Sequence, residues 1–178
     1  FAAAVSCGSA HSGRHQEFAV EARDTAVVYF TSDITPESLV RIFDALGVEA
    51  GGELGRVAVK ISTGEAGGHN YLKPELIGQL VNRLDGTIVE CNTAYPGKRM
   101  RTEDHLKVIE DHGFTKIAKV DIMDSEGEIV IPVVDTTWIL FDKVGSHIEN
   151  YDFMVDLAHF KGHAMGGYGG GLKNASIG

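Results

Sequence analysis

The sequence predicts an α/β fold: a mainly parallel sheet with helices on both faces and a β-hairpin inserted near residues 128–141. Three observations predict it. Short β-branched runs alternate along the chain with stretches of helical periodicity. The helical stretches open on Pro or Thr and close on Gly. Glycine-bearing loops follow the strand-like runs. Such alternation implies parallel strands joined by crossover helices.

Each element has its own signal. Ala26–Thr31 is a β-branched and aromatic run and reads as a strand. Thr35-Pro36-Glu37 is a helix start: a capping hydroxyl, Pro at the first helical position and an acid in the first turn. Leu39, Val40, Ile42, Phe43 and Leu46 continue it as an apolar stripe, which Gly47 ends. Val57–Ser62 reads as a buried strand, and the loop from Thr63 to Leu72 follows it. Pro74 opens a second helix with Leu76, Ile77, Leu80, Val81 and Leu84 on one face. Thr87–Asn92 is the third strand. Thr102 caps a third helix carried by Leu106, Val108 and Ile109 and stopped at Gly113. Ile117–Asp121 is the fourth strand. Glu128–Val134 and Thr137–Phe141 form the inserted hairpin, and Phe153–Ala158 returns as a core strand. The glycine loop Gly162–Gly171 comes next, then a helix start at Leu172. The α/β domain is expected to run from residue 25 to 178 and to continue beyond Gly178.

Composition narrows the function classes. Hydrophobic residues make up 43% of the chain, enough for a core and against disorder. The net charge of −9 argues against nucleic acid as a partner, because phosphate repels an acidic protein at long range. Two cysteines, Cys7 and Cys91, are too few for a disulfide framework or a four-thiolate cluster within this chain. Cys91, in a core strand, reads as an inert buried thiol. No apolar run of about 18 residues occurs, so no transmembrane segment is expected.

Residues 1–24 read as a leader or signal-peptide remnant and a linker. The run from Phe1 to Ser6 ends in small residues before Cys7, in the manner of a lipoprotein processing site. Two locations stay open: the cell envelope, periplasmic or lipid-anchored through Cys7, and the cytoplasm.

Parallel sheets bind ligands at the carboxyl edge of their strands. The loops there are basic and rich in histidine although the chain is acidic. Lys60 sits in the second strand, followed by Gly67, Gly68, His69 and Asn70. The last strand is followed by His159, Lys161, His163, Gly166, Gly167, Gly169, Gly170, Gly171 and Lys173. Glycines let backbone N–H groups approach a ligand, and neighbouring cations then make an anion site. A small anionic ligand is therefore one expectation. His159 and His163 give a second, a divalent metal, with His69 or Glu90 as a third ligand. His105 and His112, seven apart on one helix, read as face residues only. Phosphate fingerprints fail: Gly167-Tyr168-Gly169 meets Leu172 where a dinucleotide motif needs glycine, and Leu172-Lys173-Asn174 is not the end of a P-loop.

Val57-Ala58-Val59-Lys60, Gly67-Gly68-His69-Asn70, Thr87-Ile88-Val89-Glu90-Cys91-Asn92, Val120-Asp121-Ile122-Met123-Asp124, His159-Phe160-Lys161-Gly162-His163 and Gly166-Gly167-Tyr168-Gly169-Gly170-Gly171-Leu172-Lys173-Asn174 together resemble the bacterial family called domain of unknown function 362. Its members are often labelled iron–sulfur-centre proteins. The resemblance implies an α/β domain, a link to redox chemistry and a redox partner. It also implies an iron–sulfur cluster, in a C-terminal segment beyond this chain. It carries no catalytic residue. Three readings follow: a ligand-binding domain with an anion or metal site on the rim, an electron-transfer accessory domain, and a surface-anchored binding module without catalysis.

Overall fold

The computed structural model describes residues 4–6, 27–48 and 53–177. Cys7, the linker and Ala26 lie outside the described residues. The elements run β1 (Ala4–Ser6), α1 (Pro36–Ala45), β2 (Val57–Lys60), α2 (Pro74–Arg83), β3 (Thr87–Glu90), α3 (Thr102–Asp111) and β4 (Val120–Ile122). They continue with β5 (Glu128–Pro132), β6 (Phe141–Gly145), β7 (Phe153–Asp156), β8 (Lys161–His163), β9 (Gly167–Gly169) and α4 (Gly171–Ser176).

The main sheet has the order β1-β7-β2-β3-β4. The four strands β7, β2, β3 and β4 are parallel, and β1 pairs antiparallel with β7. The fold is therefore α/β. Side chains alternate across a sheet. Val57, Val59 and Ile61 face one side, in a cluster with Leu39 and Phe43 of α1, Ile77, Leu80 and Val81 of α2, and Ile109 of α3. Each such fully buried side chain contributes roughly 1.5–3 kcal/mol. Ala58, Val89 and Met123 form a smaller cluster on the other side. There the short α4 meets the sheet, where Asn174 bonds to Lys60 and Asp156.

Helix starts are built as their residues require. Thr35 Oγ1 accepts from the Ser38 N–H at 3.2 Å, and Ser38 Oγ accepts from the Thr35 N–H at 3.1 Å, a closed capping box before Pro36. In α3, by contrast, Arg101 is the N-cap and Thr102 the first helical residue. The Thr102 hydroxyl instead accepts from Asn92 Nδ2 at 2.9 Å.

Four readings of elements need correction. Residues 27–31 form no strand. Val27, Val28 and Phe30 are exposed, and the sheet edge beside β7 is taken by β1. β4 begins at Val120, not Ile117, because Phe114–Lys116 winds into a 3-10 turn that Ile117 closes. Leu106 is exposed, while its neighbour His105 is fully buried along with Ile109. The inserted hairpin is present, but its second strand is Phe141–Gly145. The half-buried pair Ile129 and Val144 and the Lys143–Glu128 ion pair hold that register, which leaves Trp138, Ile139 and Leu140 in the connecting loop.

Candidate functional site

Strands β2 and β3 each end on a charge, Lys60 and Glu90, and the two meet at the carboxyl edge. Lys60 Nζ donates to Glu90 Oε2 at 3.0 Å, to the Ile61 carbonyl at 3.0 Å and to Asn174 Oδ1 at 3.3 Å. Glu90 Oε1 accepts from the Thr63 N–H at 2.8 Å, the Thr63 hydroxyl at 3.0 Å and Arg99 Nη1 at 3.2 Å. Burial alone would raise the Glu90 carboxyl, but the Lys60 ammonium, with Thr63 and Arg99, holds it below the ordinary range. The Thr63 hydroxyl proton goes to Glu90, so Nε2 of His105, 3.2 Å away, is the donor to Thr63. Burial lowers His105, which keeps it neutral. Asp156 is pushed up by burial, and its Oδ2 has no hydrogen-bond partner among the described residues.

Above this floor lies a cleft of about 570 Å³. Glu90, Arg99, His163 and Lys173 line it together with Tyr95, Met165, Tyr168, Leu172 and Ile177. One wall is the loop after β3. There Arg99 Nη2 bonds to Glu65 and to the Tyr95 hydroxyl, which in turn donates to Glu65 Oε1 at 2.8 Å. The other wall is the β8–β9 hairpin and α4. Arg99 is 8% exposed, and its buried Nε has no hydrogen-bond partner among the described residues. Among the described residues, no hydrogen bond or ion pair engages the Lys173 ammonium.

The glycines act in two ways. Gly167 has φ +68°, which the turn into β9 requires. Gly170 has φ −148°, so its role is close approach: a Cβ there would sit 2.5 Å from the Tyr168 ring.

The parallel order puts the ends of β2, β3 and β7 on one edge, as the loop reading requires. The residues singled out there nevertheless divide among several places. Lys60 is buried in the floor. Lys161, His159, His163, Gly169, Gly170 and Lys173 share a small recess of about 60 Å³, and His163, Gly166 and Lys173 also line the main cleft. Gly171 opens α4 against the Asp156 carboxylate. Gly67, Gly68 and His69 line a separate depression of about 320 Å³ beside Asp111 and His112, and Asn70 is exposed. His163 Nδ1 accepts from the Gly166 N–H at 3.1 Å. His159 is lowered by burial and by Lys161, and its buried Nδ1 has no hydrogen-bond partner among the described residues. Among the described residues, no group of three or more His, Cys, Asp or Glu is placed to hold a metal ion.

Sequence reasoning passed over Thr63, Asp156 and Asn174 of the floor and read His105 as a face residue only. A signal was there. Two otherwise apolar strands, Val-Ala-Val-Lys and Thr-Ile-Val-Glu, end on opposite charges. Such charges are almost never buried unless they pair. His105 is fully buried in this floor and is no face residue. His112 is half-buried, stacks on Tyr71 at 4.2 Å between centroids and bonds to the Thr63 carbonyl at 2.8 Å. Cys91 carries a free thiol, pushed up to about 11 by burial and then by Asp124. Among the described residues no helix is long and apolar enough to cross a membrane.

Fold and site together define an α/β domain with a cleft over the carboxyl edge of its parallel strands. Residues 57–178 match the family model described as Domain of unknown function (DUF362), and the chain belongs to that family. No curated protein and no solved structure matches it.

Proposed function

We propose that the chain is a small-molecule-binding domain whose carboxyl-edge cleft takes an anionic ligand. The observation that carries this reading is the convergence of Arg99, His163 and Lys173 on one cleft. Lys60 and Glu90 offset each other in the floor, while among the described residues no carboxylate pairs with the Lys173 ammonium. The recess beside the cleft holds His159 and His163 with Lys161 and Lys173, and two ammonium groups oppose a divalent cation there.

Calorimetry with sulfate, whose charge is constant across the range, tests this at about pH 8 and about pH 5.5, on either side of the ordinary histidine value. Sulfate affinity is expected to rise on acidification as His159 becomes charged. Because His159 is held low, the rise arrives at the acid end. Lys173→Ala should weaken sulfate about tenfold or more, the scale of one charge-assisted bond. A metal site behaves oppositely: zinc affinity falls as the imidazoles protonate. Tight zinc binding that survives Lys173→Ala, or no sulfate binding at either pH, refutes the anion reading.

A further inference from the structure

The cationic groups are only half of the cleft. Tyr95, Met165, Tyr168, Leu172 and Ile177 line the same space and are 52%, 92%, 62%, 85% and 79% exposed. Single exposed apolar residues are ordinary, but five around one concavity are not. They come from two parts of the chain: Tyr95 from the loop after β3, and the others from the β8–β9 hairpin and α4. The Tyr95 ring is held before any ligand arrives. The Tyr95 hydroxyl is tied to Glu65 at 2.8 Å and to Arg99 Nη2 at 2.9 Å. Tyr168 lies over Gly170, where a Cβ would come within 2.5 Å of its ring, and stacks on Phe160 at 6.4 Å. A ring fixed in place loses little freedom on binding, so it serves as a platform.

Resting on the anion reading, we infer that the cleft selects a ligand with a planar aryl group joined to its anionic head. The aryl group lies between Tyr95 and Tyr168, and the head meets Lys173, His163 and Arg99. Two aromatic walls suit a flat partner, since rings gain from stacking beyond the area they bury. The Met165 thioether, on the hairpin turn, adds a sulfur–aromatic contact.

Phenyl phosphate and methyl phosphate carry the same head, so their difference reads the aryl subsite alone. At one pH, phenyl phosphate is expected to bind about tenfold more tightly, the scale of a ring stack plus burial. Tyr168→Ala should cut that advantage to about threefold or less, with a circular dichroism spectrum matching the wild type to show that the variant folds. Tyr168→Phe should keep the advantage. Lys173→Ala should weaken both ligands alike. Equal affinity for the two phosphates overturns the aryl inference and leaves the anion reading standing. An aryl advantage that survives Tyr168→Ala overturns it as well. Failure of both phosphates to bind overturns the anion reading together with it.

Discussion

Lys60 and Glu90 are 2% and 1% exposed, and each satisfies the other inside the protein. A buried pair contributes little net stability, but removing one partner strands a charge in a dry place. Glu90→Ala is therefore expected to lower the unfolding free energy by about 3–5 kcal/mol, read by urea denaturation. The double change Lys60→Met with Glu90→Leu should cost clearly less than the two single changes added together. A double change that costs the full sum would show that the residues act independently. Acid gives a second readout. The Glu90 carboxyl is held below its ordinary value of about 4.3, so its contribution is complete above that value and lost as pH falls through the folded value. Glu90→Gln should flatten the acid limb of a plot of melting temperature against pH.

The β5–β6 hairpin shows the same logic for an element. Its base is closed where Gly145 lies against the Met123 backbone and the His147 N–H donates to the Met123 carbonyl at 3.0 Å. A Cβ at Gly145 would come 2.5 Å from the Met123 carbonyl carbon. Backbone cannot swing aside as the exposed Tyr168 ring can. Gly145→Ala is expected to cost roughly 1–3 kcal/mol, the range of overpacking, and an unchanged urea midpoint would contradict the close approach. His147 places Nδ1 2.7 Å from Asp121 and Nε2 3.3 Å from Glu126, with Tyr151 donating to the other Asp121 oxygen at 2.8 Å. The Asp121 bond, then Glu126, raise His147 above its ordinary value. Its contribution is therefore complete below about pH 6.5 and lost as pH rises through the folded value. Melting temperature should fall between about pH 6.5 and pH 8 more steeply in the wild type than in His147→Gln. Much of this level is legible in sequence, because Thr35-Pro36, Pro74 and Gly113 act through local backbone chemistry. Residues 27–31 mislead for the complementary reason: an extended β-branched run has the same signature whether or not another strand pairs with it.

At the scale of the molecule, the carboxyl edge was readable and its contents only partly so. Strand–helix alternation places the loops after β2, β3 and β7 together whatever their composition. It cannot say which side chains turn inward. Lys60 and Asn174 meet across 114 residues and Arg99 and Glu65 across 34, and no local pattern encodes such meetings. The glycine loop drew the eye to His159 and His163, while the pair that organises the floor looked like the ends of two ordinary strands. His69 was separated from them because the loop after β2 leans toward α3, beside His112.

The position of β7 between β1 and β2 has a consequence for how the chain acquires its structure. β2, β3 and β4 follow one another, but the strand that completes β2 on its other side arrives late: Arg56 and Asp152, bonded at the start of the two strands, are 96 residues apart. Until then an emerging chain carries β2 as an open edge, with Val57 and Val59 beside unpaired backbone. Open apolar edges invite pairing with other chains. A fragment ending at residue 150 is expected to aggregate on refolding more than the 178-residue chain does, as light scattering during dilution from urea would report. The ligand cleft is drawn from the same late segment, since Lys173 and the hairpin beside it follow β7. Binding competence and escape from self-association are therefore reached in the same step of synthesis.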